Sequence, residues 1–186
     1  MKKVFLDFGT NELQGYKIFK EKYNIDKSWE VHHYEPNPAL IDFISNNNDV
    51  GQFHNKAVWD KNEQVSFVVD SKFTTWQGSH IDQGSKAFKE RAKGEPKTIT
   101  VQAIDVFEVL NQYDQSDYII LKMDIETAEF RVLQRMIDTD QLKKINDIYV
   151  EFHCRMFGNK RSEYKKWQDS LVKEIKKLGI KYKEHF

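Results

Sequence analysis

Short apolar runs rich in β-branched and aromatic residues, such as VFLDF near the start and YIILKM in the second half, alternate along this chain with longer stretches of helical spacing. That alternation constrains the fold more than any other feature, because strands joined by helix-length connections pair in parallel and need helices to cover them. It predicts strands at 3–7, 29–34, 50–58, 65–69, 98–103, 118–123, 145–152 and about 180–185. Helices fit between them at about 15–24, 38–47, 105–113, 125–138 and 162–178. The last is the clearest: Tyr164, Trp167, Leu171, Ile175 and Leu178 fall on one stripe, Ser162 is placed to cap its start, and Gly179 follows its end.

Two places break the pattern. Only about six polar residues separate 50–58 from 65–69, too few for a parallel crossover, so this pair is expected to run antiparallel. The stretch 70–97 carries three glycines, a proline and many polar residues, the mark of a functional loop or a disordered segment inserted in one domain of 186 residues.

With 29 basic and 29 acidic residues the net charge is zero, so no polyanion-binding surface is advertised and nucleic acid is not expected as a partner. Lys86, Lys89, Arg91 and Lys93 read as a solvated helical face, with an anion-binding groove as the alternative. The single cysteine, Cys154, forms no internal disulfide and has no zinc-ligand spacing. The opening lysines precede too short an apolar run for a secretory leader, and no stretch approaches the roughly 20 apolar residues of a membrane span. A cytoplasmic protein without a membrane partner is expected, and a homo-oligomer stays open.

The loop GTNELQG, residues 9–15, follows the first strand, where open α/β sheets bind ligands. Its glycines let backbone approach a ligand, but their spacing is not the G-x-G-x-x-G of a dinucleotide fold, which argues against a nicotinamide enzyme. The second strand ends in Glu35, roughly 20 residues on, where an acidic side chain can accept hydrogen bonds from both hydroxyls of a ribose.

With these loops placed, the sequence resembles the FkbM family of S-adenosyl-L-methionine (SAM) dependent methyltransferases. VFLDFGTN looks like that family's opening strand and loop, VHHYEPNP like its Glu-Pro-Asn-Pro turn, and HNKAVWD like its Asn-x-Ala segment. WQGSHI, QAIDVFEVL, KMDIETAEFRVL and IYVEFH are similar to its later blocks, in the same order. The resemblance implies a three-layer Rossmann-like class I methyltransferase fold, α/β, with a mostly parallel sheet, helices on both faces and shortened termini. It also implies a hydroxyl acceptor on a sugar or small natural product. By the same resemblance Asp7, Gly9, Thr10 and Asn11 would line the methionine end of SAM, Glu35 its ribose, Asn55 to Ala57 its adenine edge, and Asp124 the floor beside the methyl group. The chain departs from the family where Gly9 and Gly15 stand two residues farther apart than usual, where Thr127 replaces a glycine, and where His80 replaces a serine.

Methyl transfer to a hydroxyl needs alignment and removal of a proton. Asp124 ends an apolar strand, Glu126 is expected in the first turn of a helix facing the cleft, and His153 ends another strand in the same crevice. These three are the candidate base set. The same set would suit a divalent cation, although two carboxylates and one imidazole make an unspecific ligand group and no residue is assigned to a metal. Glu129 reads as a first-turn carboxylate that stabilises its helix. His32 and His33 point to opposite faces of a strand and read as structural. Phe73, Trp76 and His80 either close over a substrate or tack the inserted stretch onto the core. The alternatives to an O-methyltransferase are one with a nitrogen or polymer acceptor, and a SAM-fold binding or scaffold subunit without catalysis.

Overall fold

A computed structural model of the chain describes residues 1–47, 51–70, 79–83 and 96–184. Six strands form one all-parallel sheet: β1 (Lys3–Phe8), β2 (Glu30–Tyr34), β3 (Gln52–His54), β8 (Tyr118–Met123), β9 (Ile145–Val150) and β10 (Lys181–Glu184). Their spatial order is β10-β9-β8-β1-β2-β3. The chain reverses its direction of travel across the sheet between β1 and β8, and ligands of such sheets bind beyond the carboxyl ends at that point.

The strands read as continuous apolar runs because both faces are covered. Phe5 and Ile120 face α1 (Gln14–Tyr23) and α2 (Ile41–Asn47), where Tyr16, Phe19 and Ile44 are buried with them. Val4, Leu6, Ile119, Leu121 and Ile148 face the other way. There they meet α3 (Val106–Asn111), α4 (Glu129–Asp138) and α5 (Arg161–Lys177) through Leu110, Phe130, Leu133, Met136, Leu171 and Ile175. The helical spacing of these residues is what turns one stripe of each helix to the sheet.

Several boundaries differ from expectation for local reasons. The predicted strand 50–58 divides at a bend closed by Lys56 N to His54 O (2.8 Å), so β3 stays in the parallel sheet while β4 (Ala57–Trp59) leaves it. A second sheet, in the order β4-β7-β5-β6, is built by β4, β5 (Glu63–Asp70), β6 (His80–Ile81) and β7 (Pro96–Asp105). Here β5 pairs antiparallel with β7, and β4 pairs parallel with β7 on its other side, so β5 opposes β4 in direction without pairing with it. Helix α5 starts at Arg161 with no side-chain cap, which places Ser162 inside the helix, and Leu178 is half exposed rather than part of the buried stripe. Phe73, Trp76, Lys86, Lys89, Arg91 and Lys93 lie outside the described residues. Among the described residues, no helix is long and apolar enough to cross a membrane.

Candidate functional site

Strand β1 ends at a turn that only glycine can make. Gly9 sits at φ +76°, and a Cβ there would lie 1.9 Å from the Asp124 carbonyl oxygen, so the ends of β1 and β8 could not close together around any larger residue. The amides of Gly9 and Thr10 donate to the Tyr34 carbonyl at 2.9 and 3.2 Å, tying the loop to the end of β2.

Asp7 lies beneath this loop and does not reach the cavity above it. It is fully buried, accepts a hydrogen bond from Thr10 Oγ1 (2.5 Å), and stands 3.1 Å from Lys122 Nζ and 3.3 Å from His33 Nδ1. Burial pushes its carboxyl up, but the Lys122 ammonium, His33 and Thr10 outweigh burial and bring it down to about 2. Lys122 also donates to the Gly9 carbonyl at 2.5 Å, so one buried cation holds both a carboxylate and the glycine turn. A lysine inside the apolar run YIILKM was the signal for this pairing, since a buried ammonium needs a counter-ion.

A cavity of about 310 Å³ opens above the loop. Gly9, Thr10, Asn11, Gly15 and Glu35 line one end of it. Glu35 Oε2 accepts from the Asn11 amide (3.1 Å) and Oε1 from the Asn37 amide (3.0 Å). Burial pushes its carboxyl up to about 7, with the two backbone donors pulling the other way. Asn55 is not on the cavity wall; its side-chain amide donates to the Glu35 carbonyl (2.9 Å) and fixes the end of β2. Ala57 is on the wall, and Tyr34, Val58, Phe67 and Ile81 give the cavity an apolar flank. Phe67 and Ile81 come from the second sheet. His80 is buried and is not among the lining residues.

The other end of the cavity is acidic. Asp124, Glu126, Glu151 and His153 line it, and three carboxylates converge on the imidazole. His153 Nε2 lies 3.4 Å from Glu126 Oε2, 3.7 Å from Glu151 Oε1 and 3.8 Å from Asp124 Oδ1. Its Nδ1 is 2.7 Å from Glu129 Oε1. Burial opposes a charge on the ring, but Glu129, Glu126 and Asp124 outweigh it and raise the pKa to about 10. Burial pushes the Glu126 carboxyl up to about 7, opposed by His153.

The segment carrying these carboxylates is a turn, not the helix start expected for it. Helix α4 begins only at Glu129, and Glu126 and Thr127 take left-handed conformations at φ +46° and +80°. Thr127 therefore occupies backbone that favours glycine, and its hydroxyl accepts a hydrogen bond from Gln83 Nε2 (3.0 Å). Glu129 is more than a helix-stabilising charge: it is fully buried and orients His153. The spacing of Glu126 and Glu129 in DIETAEF was the available signal, but only the position of β9 shows that an imidazole stands between them.

The structure thus brings Gly9, Thr10, Asn11, Glu35, Ala57, Asp124, Glu126 and His153 to one cavity and leaves Asp7 and Asn55 behind its wall. Four lining carboxylates face the lining cations Lys122, His153 and Arg155, and Lys122 and His153 are already engaged. Such a wall suits a ligand with hydroxyls and a positive centre; it does not make the cationic cradle of a polyphosphate.

A family model described as the methyltransferase FkbM domain matches residues 7–182. A curated relative named probable methyltransferase-like protein 24, from Rattus norvegicus, is 30% identical over 78 residues, which are 39% of this chain and 21% of the relative. The match thus spans about a fifth of that protein's length. No solved structure matches the chain significantly.

Proposed function

We propose, from the premise that the chain belongs to the FkbM methyltransferase domain family, that its cavity binds SAM and serves methyl transfer to a hydroxyl oxygen on a sugar or small natural product. The observation that carries this reading is Glu35. It stands at the carboxyl end of β2 beside the point where the sheet order reverses, and its carboxylate is on the cavity wall. Each oxygen already accepts one backbone amide and keeps a second lone pair for a ribose hydroxyl. The acidic lining fits a sulfonium, and the apolar flank of Tyr34, Val58, Phe67 and Ile81 fits a flat base.

When bound, SAM would supply a methyl group on a cationic sulfur that keeps the bonding electrons as the methyl leaves. The chain's own residues supply position and a route for the proton. The turn from Gly9 to Asn11 would bring backbone close to the cofactor, and Asp124, on the cavity wall, would lie beside the methyl group. Carboxylates at the acidic end receive the proton that the acceptor hydroxyl loses, and Glu126, near 7, exchanges it with solvent at neutral pH. Glu129 acts through His153 as a positioning residue.

Calorimetric titration with SAM and with its demethylated product S-adenosylhomocysteine tests the reading. Micromolar binding that Glu35→Ala weakens at least tenfold, about 1.4 kcal/mol, is the expected outcome. Failure of both ligands to bind overturns it. Binding without turnover on any hydroxyl acceptor would leave the non-catalytic scaffold in its place.

A further inference from the structure

We propose that Asp124, Glu126 and His153 form a binding site for a divalent cation of the Mn²⁺ or Mg²⁺ type at the acidic end of the cavity. One donor atom from each of the three residues lies within 4.8 Å of the others. The closer spacings are 3.4 Å from His153 Nε2 to Glu126 Oε2 and 3.8 Å to Asp124 Oδ1. Atoms that share a cation at about 2.0–2.2 Å stand roughly 3–4 Å apart, so these are the distances expected of co-ligands.

The group differs from an ordinary acidic cluster in the state of its imidazole. His153 is 1% exposed, and its Nδ1 is held by the fully buried Glu129. Its Nε2 faces the carboxylates of Glu126, Glu151 and Asp124 at 3.4 to 3.8 Å, and His153 lines the cavity. A carboxylate behind a histidine that presents its other nitrogen to a cavity is the arrangement that orients metal-bound imidazoles. The donors come from two places in the chain, Asp124 and Glu126 from the turn after β8 and His153 from the segment after β9, so tertiary structure brings the imidazole to the carboxylates.

The donor chemistry narrows the ion. Carboxylate oxygens favour Mg²⁺ and Mn²⁺, one imidazole nitrogen tips the set toward Mn²⁺, and Ca²⁺ would want more oxygens than three residues give. Cys154 adjoins His153 in sequence but is not among the donors, which removes the thiolate that would favour structural zinc. A cation here would face the acceptor end of the cavity, and an acceptor with two neighbouring oxygens could bind it through both. That use rests on the methyltransferase reading; binding of the ion does not.

Titration of the purified protein with Mn²⁺ alone, followed by the paramagnetic resonance signal of the free ion, tests the site without cofactor or acceptor. The expected result is loss of free signal equivalent to one ion per chain, reversed by excess Mg²⁺. His153→Gln and Asp124→Asn should each weaken binding at least tenfold. If His153→Gln does not fold by circular dichroism, Glu126→Gln, on the partly exposed turn, takes its place. A free-ion signal unchanged by wild-type protein overturns the proposal, as does binding that survives these substitutions. SAM titration of the same sample separates the two readings, because ion binding without SAM binding would sink the methyltransferase function and leave the cation site standing.

Discussion

Glu35 is a carboxylic acid enclosed at the wall of a cavity, and burial pushes its pKa up to about 7. In the free protein the protonated form takes over as pH falls below that value. A ribose donates its hydroxyls to the carboxylate, so SAM affinity should be full above about pH 7 and fall by up to tenfold for each unit below it. In Glu35→Gln the affinity should be weaker and nearly flat with pH, and calorimetry at a few pH values distinguishes the two. The linked effect on folding has the opposite sense: stability from this group is fully present below its unfolded pKa and is lost as pH rises through about 7. Gly9 and Glu35 were legible at this scale because a glycine after a strand and an acid at a strand end carry their meaning locally. Thr127 was visible as a departure from the family pattern, but its φ of +80° and its bond to Gln83 were not. The bond depends on where β6 brings the following residues.

Parallel register decides what the elements bury together. Asp7 is the Cα partner of Lys122 in β8 and of His33 in β2, which puts three polar side chains on the α1 face of an otherwise apolar sheet. Removing the cation alone leaves a buried carboxylate without its counter-ion. Lys122→Met should therefore cost about 3–5 kcal/mol in urea unfolding, and Asp7→Asn combined with Lys122→Met should recover most of it. With its pKa lowered to about 2, Asp7 gives stability that is present above its unfolded pKa and lost as pH falls through 2. Lys122→Met should abolish that acid limb. Strand and helix positions in this sheet follow the apolar periodicity closely. The start of α4 does not, because Asp124 and Glu126 resemble helix-opening residues in sequence while the chain spends them on a left-handed turn.

At the scale of the molecule, Asp105 is one of the residues that join the second sheet to the rest. This residue ends β7, caps α3 by accepting from the Phe107 amide (2.8 Å), and pairs with Arg135 of α4 (2.7 Å). Asp105→Ala should lower stability by about 2 kcal/mol in urea unfolding, mostly from the lost cap, since Arg135 is partly exposed and its ion pair is screened. SAM affinity should be unchanged, because Asp105 lies away from the cavity. By itself the sequence determined the strand and helix alternation, the glycine turn after β1 and the acid after β2, since each depends on residues close together in the chain. Only the tertiary structure decided that β4 leaves the main sheet for a second one and that Lys122 neutralises Asp7. It also decided that carboxylates from the β8 end, the turn, α4 and the β9 end surround His153. Those outcomes depend on which strands lie side by side, and pairing between residues far apart in the chain, such as Asp7 and Lys122, leaves no periodic trace in a single sequence.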